Sequence, residues 1–241
     1  AAAIEIEAIP VEPDVRVESR STLSLGDDRT VLATQITAGI TRAGIFKLSF
    51  VLPAHLEVES LTGDALSHWT ELETDGDRVV TMHLRGKTEG RQQFSLTLAG
   101  QGRIEGAQLT APRVDFREAS KQSGQLIVAP ELGVRLNVNS REGVTQLDPS
   151  TLGIKQRGVQ AFRLLQKNWS LVFDIEQIDP WIEVSSLQDF DVREGQVQVN
   201  TVLDYQIQNA GVNSLFVRLP VNADSVTFTG RDITDFIETG D

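Results

Sequence analysis

Cysteine is absent from all 241 residues, which removes disulfides, thiolate nucleophiles and cysteine-ligated zinc at one stroke. Burial and backbone pairing alone must hold the fold. Long apolar runs are also missing: none approaches the roughly 18 residues that cross a bilayer as a helix. The opening Ala1-Ala2-Ala3, followed by Ile4-Glu5-Ile6-Glu7, has neither the basic start nor the apolar middle of a secretory leader. Any export signal or anchor is therefore expected outside this stretch, with no membrane insertion by the stretch itself. Basic residues are outnumbered, 22 Lys and Arg against 34 Asp and Glu, for a net charge of −12. A field of that sign repels phosphate backbones and anionic lipid, so nucleic acid is not an expected partner.

Catalytic signatures are lacking as well. The chain has no Gly-x-Ser-x-Gly elbow, no His-Glu-x-x-His, no phosphate loop and no Gly-x-Gly-x-x-Gly. No window carries a convincing helical period; Asp64–Trp69 and Asp232–Phe236 could hold a helical turn at most. Carboxylates are plentiful enough for some pair to reach glycosidase spacing. Nearly all of them, however, fall on turns or on the polar phase of strands, where solvation is the ordinary role.

What the sequence does contain is a repeat. Residues 4–74 align without a gap onto residues 171–241, a period of 167, with 13 identities in 71 positions. The shared skeleton is Ala43-Gly44, Leu48, Leu52-Pro53 and Thr62-Gly63 against Ala210-Gly211, Leu215, Leu219-Pro220 and Thr229-Gly230. Mismatches at the alternating apolar positions mostly exchange one apolar residue for another, as Val15 does with Ile182 and Trp69 with Phe236.

The dominant hydrophobic period is two. Val197, Val199, Thr201, Leu203, Tyr205 and Ile207 alternate with mostly polar residues, and Thr30, Leu32, Thr34, Ile36, Ala38 and Ile40 repeat the phase. Each strand is expected to turn at Ala-Gly and return as Leu48–Leu52 or Leu215–Leu219 before a proline that ends pairing. Further strands are expected at Val79–Leu84, Phe94–Leu98, Arg113–Phe116, Gln125–Val128, Val134–Val138, Val144–Leu147, Ala161–Leu165 and Trp169–Ile175. Turn signals every 8–12 residues or so suit a sandwich. The expected fold is all-β, built of tandem antiparallel β-sandwich units of immunoglobulin or fibronectin type.

On this basis the chain divides into a terminal strand of a preceding unit at 1–9, sandwich unit A at 10–107, a smaller β unit B at 108–178, and a partial second copy of unit A at 179–241. The first core should hold Leu48, Phe50, Leu52, Leu61, Trp69, Val80, Leu84, Phe94 and Leu96. Its copy should hold Leu203, Tyr205, Leu215, Val217, Leu219 and Phe228. Strands that the partial copy lacks would leave an open edge, completed by further sequence or by exchange between chains.

Few residues are candidates for chemistry. His55 and His68 align with Asn222 and Asp235, and His83 lies on the polar phase of its strand, so all three are expected as surface residues without metal. The acidic turns Gly26-Asp27-Asp28, Asp75-Gly76-Asp77, Asp189 with Asp191, and Asp232 with Asp235 could offer oxygens to calcium. They match no EF-hand, and tight hairpins favour Asp and Gly for backbone reasons alone. No cofactor and no catalytic residue are expected. Trp181, aligned with Asp14, is the one tryptophan without a packing duty and the candidate ligand contact.

The expected function is a non-catalytic structural or interaction module, one segment of a larger modular protein of the periplasm or cell surface. Its partners would be other proteins or further repeats of the same chain. The alternatives are a carbohydrate-binding accessory module or a non-catalytic fragment of a glycosidase.

Overall fold

The computed structural model describes residues 11–26, 29–101, 108–220, 223 and 225–237; the terminal strand expected at 1–9 and the pair Asp27-Asp28 lie outside them. Fourteen strands run in chain order: β1 (Asp14–Leu25), β2 (Arg29–Val51), β3 (Glu57–Thr62), β4 (Leu66–Thr74), β5 (Asp77–Gln101), β6 (Gln108–Thr110), β7 (Asp115–Phe116), β8 (Ala119–Pro130), β9 (Val134–Glu142), β10 (Val144–Leu147), β11 (Gln160–Leu164), β12 (Ser170–Gln177), β13 (Trp181–Arg193) and β14 (Gln196–Gln208). The one helical element among the described residues is a 3-10 turn at Pro149–Leu152, so the chain is all-β.

One nine-stranded sheet follows the order β10-β11-β8-β1-β2-β5-β3, with β4 added to β5 and β7 to β2. A three-stranded sheet, β6-β12-β9, supplies the second layer, and β13 pairs with β14 alone. The period of two decides which face is inside: Val15, Val17, Leu23 and Leu25 of β1 are buried while Arg16, Glu18, Arg20 and Ser24 between them are exposed. Phe162 of the large sheet meets Phe173 of the small one edge to face at 5.8 Å, and Phe50 meets Phe116 at 5.6 Å. Each such side chain contributes about 1.5–3 kcal/mol by leaving water. The buried Gln122 amide is satisfied from both ends, donating to the Val114 carbonyl and accepting from the Phe116 N–H.

The large sheet takes strands from both sides of residue 107: β1, β2 and β5 from one side, β7, β8, β10 and β11 from the other. The stretches 10–107 and 108–178 thus share one hydrophobic core instead of closing two. Pairing is also not purely antiparallel as expected, because β8 lies parallel to β1. A strand that returns only after a long excursion can enter beside its predecessor in the same direction, and a short hairpin cannot.

The turn expected at Ala43-Gly44 and the break expected between Val79–Leu84 and Phe94–Leu98 are bends in continuous strands. β2 passes straight through Ala43-Gly44 with Arg42 at φ 70°, and β5 passes through Gly90 at φ 78°. Ile40 faces Gly90, and the next pair is Ile45 with Thr88, so the irregularities lie opposite one another and both strands bend together. The stretches expected as separate strands at Val79–Leu84 and Phe94–Leu98 are accordingly the two halves of β5. The stretch Asp64–Trp69, considered for a helical turn, holds a tight turn at Asp64-Ala65 and then the start of β4, paired to β5.

Of the expected first core, Leu48, Phe50, Leu52, Leu61, Val80, Leu84, Phe94 and Leu96 are buried. Trp69 is 37% exposed; β4 pairs with β5 alone and so lies at a margin of the sheet. The expected second core is not closed. Leu215, Val217 and Leu219 are exposed, Leu203 and Tyr205 are half-buried, and the return strand expected at Leu215–Leu219 is not formed. Phe228 touches Phe236, with ring centroids 5.1 Å apart.

Candidate functional site

The surface that most needs a partner is the hairpin β13–β14. All twelve cross-strand pairs of β1–β2, from Asp14 with Thr41 to Leu25 with Thr30, recur 167 residues later, from Trp181 with Gln208 to Val192 with Val197. The backbone beyond the hairpin agrees too: Asn209 adopts φ 70° where Arg42 does. A one-residue slip would have reversed every side chain, so agreement in register is agreement in faces.

The face that β1–β2 buries carries Val15, Val17, Ser19, Leu23 and Leu25 opposite Ile40, Ala38, Ile36, Leu32 and Thr30. Its counterpart on β13–β14 carries Ile182, Val184, Ser186, Phe190 and Val192 opposite Ile207, Tyr205, Leu203, Val199 and Val197. Even the polar interruption is kept: Thr34 donates to Ser21 in the first hairpin, and Thr201 faces Gln188 in the second. Burial is opposite. Leu32 is 2% exposed and Val199 48%; Leu23 is fully buried and Phe190 59% exposed. A contiguous apolar face of this kind marks an interaction surface.

Trp181, the candidate ligand contact, is 63% exposed at the start of β13. Its phase puts it on the wet face with Glu183, Ser185, Asp189 and Asp191, away from the apolar one. Across the ladder it faces Gln208, and no aromatic ring stacks beside it among the described residues. The structure thus places Trp181 where a ligand could reach it without assembling a platform around it.

A second surface was not legible in the sequence. The outer face of the large sheet carries a polar row across five strands, in the order Arg163, Gln125, Arg20, Gln35 and Ser95. Ser95 Oγ donates to Gln35 Oε1 at 3.0 Å. Gln125, Arg20, Gln35 and Ser95, with Thr22, Thr97 and Ile127, line a shallow groove of about 270 Å³. Arg20, Arg163, Lys121 and Arg91 share this face, and none has an ion-pair partner among the described residues. An acidic chain therefore concentrates free cations on one sheet face. Only strand order brings them together, and strand order is not written in local spacing.

His68 and His83 face one another across β4 and β5 and stack with centroids 4.5 Å apart, and His83 Nε2 lies 3.2 Å from Thr70 Oγ1. His55 occupies a turn at φ 65°. No group of three or more His, Asp or Glu side chains converges in metal-binding fashion among the described residues. Asp75 and Gly76 supply the positive φ values of the β4–β5 turn, and Asp191 is tied to Arg193 at 2.6 Å. Both therefore serve turn geometry or local pairing. No helix among the described residues is long and apolar enough to cross a membrane.

No family model matches the chain, and neither does any curated protein. Among solved structures, an M1 zinc metallopeptidase from Deinococcus radiodurans is similar at 12% identity with a TM-score of 0.40, the match covering 88% of this chain and 51% of that one. Yeast LTA4 hydrolase is similar at 8% identity with a TM-score of 0.43, over 72% of this chain and 30% of that one. The chain thus spans about half the length of the first and less than a third of the second.

Proposed function

We propose that this chain is a non-catalytic structural and interaction module, a segment of a larger extracytoplasmic protein built from tandem β-sandwich units of the immunoglobulin or fibronectin kind. One observation carries it. The hairpin β13–β14 reproduces the register, face chemistry and bend residue of β1–β2, yet its apolar face lies bare. A chain that specifies the same half-sheet twice is suited to extend an array, and arrays make long faces instead of a single pocket. Placement in the periplasm or at the cell surface accords with an acidic, cysteine-free, repeat-patterned β protein.

The test compares unfolding of residues 11–178, of the whole chain, and of the parent polypeptide. Deleting 179–241 should leave the main cooperative transition of the chain unchanged. In the parent polypeptide, residues 181–208 should unfold cooperatively with a second module. Protease sensitivity of that hairpin within the parent, or turnover of a peptide or glycan by the chain, would defeat the proposal.

A second reading, a carbohydrate-binding accessory module, draws support from the groove around Arg20, Gln35, Ser95 and Gln125. Amides, hydroxyls and guanidinium groups on a rigid sheet can meet sugar hydroxyls with fixed geometry. Glycan binding lost on Arg20→Ala or Gln35→Ala would favour it. Loss on Trp181→Ala alone would move the contact to the second hairpin.

A further inference from the structure

We infer that the edge of β14 that no strand among the described residues pairs with is a strand acceptor: it takes, antiparallel, a strand with the alternation of β5, supplied by the next repeat of the longer polypeptide. This rests on reading the chain as one segment of a repeat protein, and it names the element that completes the bare hairpin.

The occupant is argued from the first hairpin, where the same edge is filled. β5 runs antiparallel to β2 along its length, setting Phe94, Leu96 and Leu98 opposite Ile36, Thr34 and Leu32 on the core side. Ser95, Thr97 and Ala99 face Gln35, Ala33 and Val31 on the outer side. Moved by one period, the acceptor positions are Leu203, Thr201 and Val199 inside, and Val202, Asn200 and Gln198 outside. The incoming strand must therefore be apolar opposite the first three and small or polar opposite the others. An apolar helix could cover the face, but it would leave the donors and acceptors of the β14 edge unpaired, and a strand satisfies both.

A second copy of this chain is a poor source for that strand. Its own β5 is held by β2 on one side and by β3 and β4 on the other. Lending it would dissolve the largest ladder in the fold to build an equivalent one elsewhere.

The experiment adds a synthetic peptide of the β5 sequence, Asp77–Gln101, to the intact chain and follows backbone hydrogen exchange. Exchange in β14 should slow by about tenfold or more at saturation while β1 and β2 stay unchanged. Val199→Asp in the chain, or Leu96→Asp with Leu98→Asp in the peptide, should abolish the effect. The same protection in cis, in the parent polypeptide, identifies the source. No slowing at saturating peptide, or equal slowing by a peptide of scrambled order, overturns the inference. Dimerisation of the chain alone with loss of protection in its own β5 also overturns it, by making a second copy the donor. Turnover of a substrate would defeat the modular reading without altering peptide binding, whereas failed strand addition in a parent that still shows further repeats would defeat only this inference.

Discussion

The two hairpins β1–β2 and β13–β14 have the same pairing, the same apolar face and the same left-handed residue at the bend, and differ in what lies beside and above them. β1 is flanked by β8 and β2 by β5, with the second layer over both. β13 and β14 pair only with each other among the described residues. The alternation of a hairpin sets its register and chooses its inner face. Burial comes from strands that arrive from elsewhere in the chain. A hairpin is thus a local structure, and a core is a non-local one.

The sharpest way to test this contrast is to place one charge at equivalent sites. Leu32→Asp puts an unpaired carboxylate into a closed core and should cost roughly 4–5 kcal/mol or prevent folding. Val199→Asp, one period later, should change stability of the main transition by less than about 0.5 kcal/mol. Urea unfolding of both variants decides it; similar losses would mean that the second hairpin contributes to the same core.

A smaller effect probes the β1–β8 contact that β13 lacks. A Cβ on Gly124 would meet the Ser19 carbonyl oxygen at 2.2 Å and Ser19 Oγ at 2.5 Å, so Gly124→Ala must push the two strands apart. The expected cost is about 1–3 kcal/mol, the usual range for overpacking. Ser19→Gly in the same chain should recover part of it by removing the hydroxyl, and thermal unfolding of the single and double variants would show whether it does. Ser186, the counterpart of Ser19, has no such neighbour among the described residues, and Ser186→Ala should be silent.

These contrasts also show how far local pattern reaches. The alternation Leu32, Thr34, Ile36, Ala38 named a strand and its inner face correctly, because side-chain direction follows from backbone period alone. Ala43-Gly44 was misjudged as a turn, since a turn and a paired bulge both favour small residues and only the partner strand tells them apart. Trp69 reads as core because it exchanges with Phe236 across the repeat, whereas its burial depends on β4 lying at a sheet margin. The polar row from Arg163 to Ser95 could not be foreseen: it joins five strands from three regions of the chain, and no window of sequence contains it.

The smallest expected effect concerns the first residue of each hairpin. The Ser120 hydroxyl lies 2.5 Å from Asp14 Oδ1 and 2.9 Å from the Val15 carbonyl oxygen, tying the start of β1 to β8, and Arg16 Nε lies 3.3 Å from Asp14 Oδ2. The Ser120 hydrogen bond, with Arg16 and Arg42 assisting against partial desolvation, holds the Asp14 carboxyl below its ordinary value of 3.8. A depressed carboxylate adds stability that is complete above the ordinary value and disappears as pH falls through the lowered one. Asp14→Asn should therefore remove a small stabilisation at neutral pH and flatten the pH dependence of unfolding below 3.8, whereas the parent chain loses stability there. At the equivalent site of the second hairpin, Trp181→Asp should produce no matching acid-sensitive increment, because no strand among the described residues lies beside β13 to offer it a hydroxyl. An acid-dependent gain in that variant would mean that β13 already has a neighbour in solution, and the contrast between the two hairpins would fail at its edge.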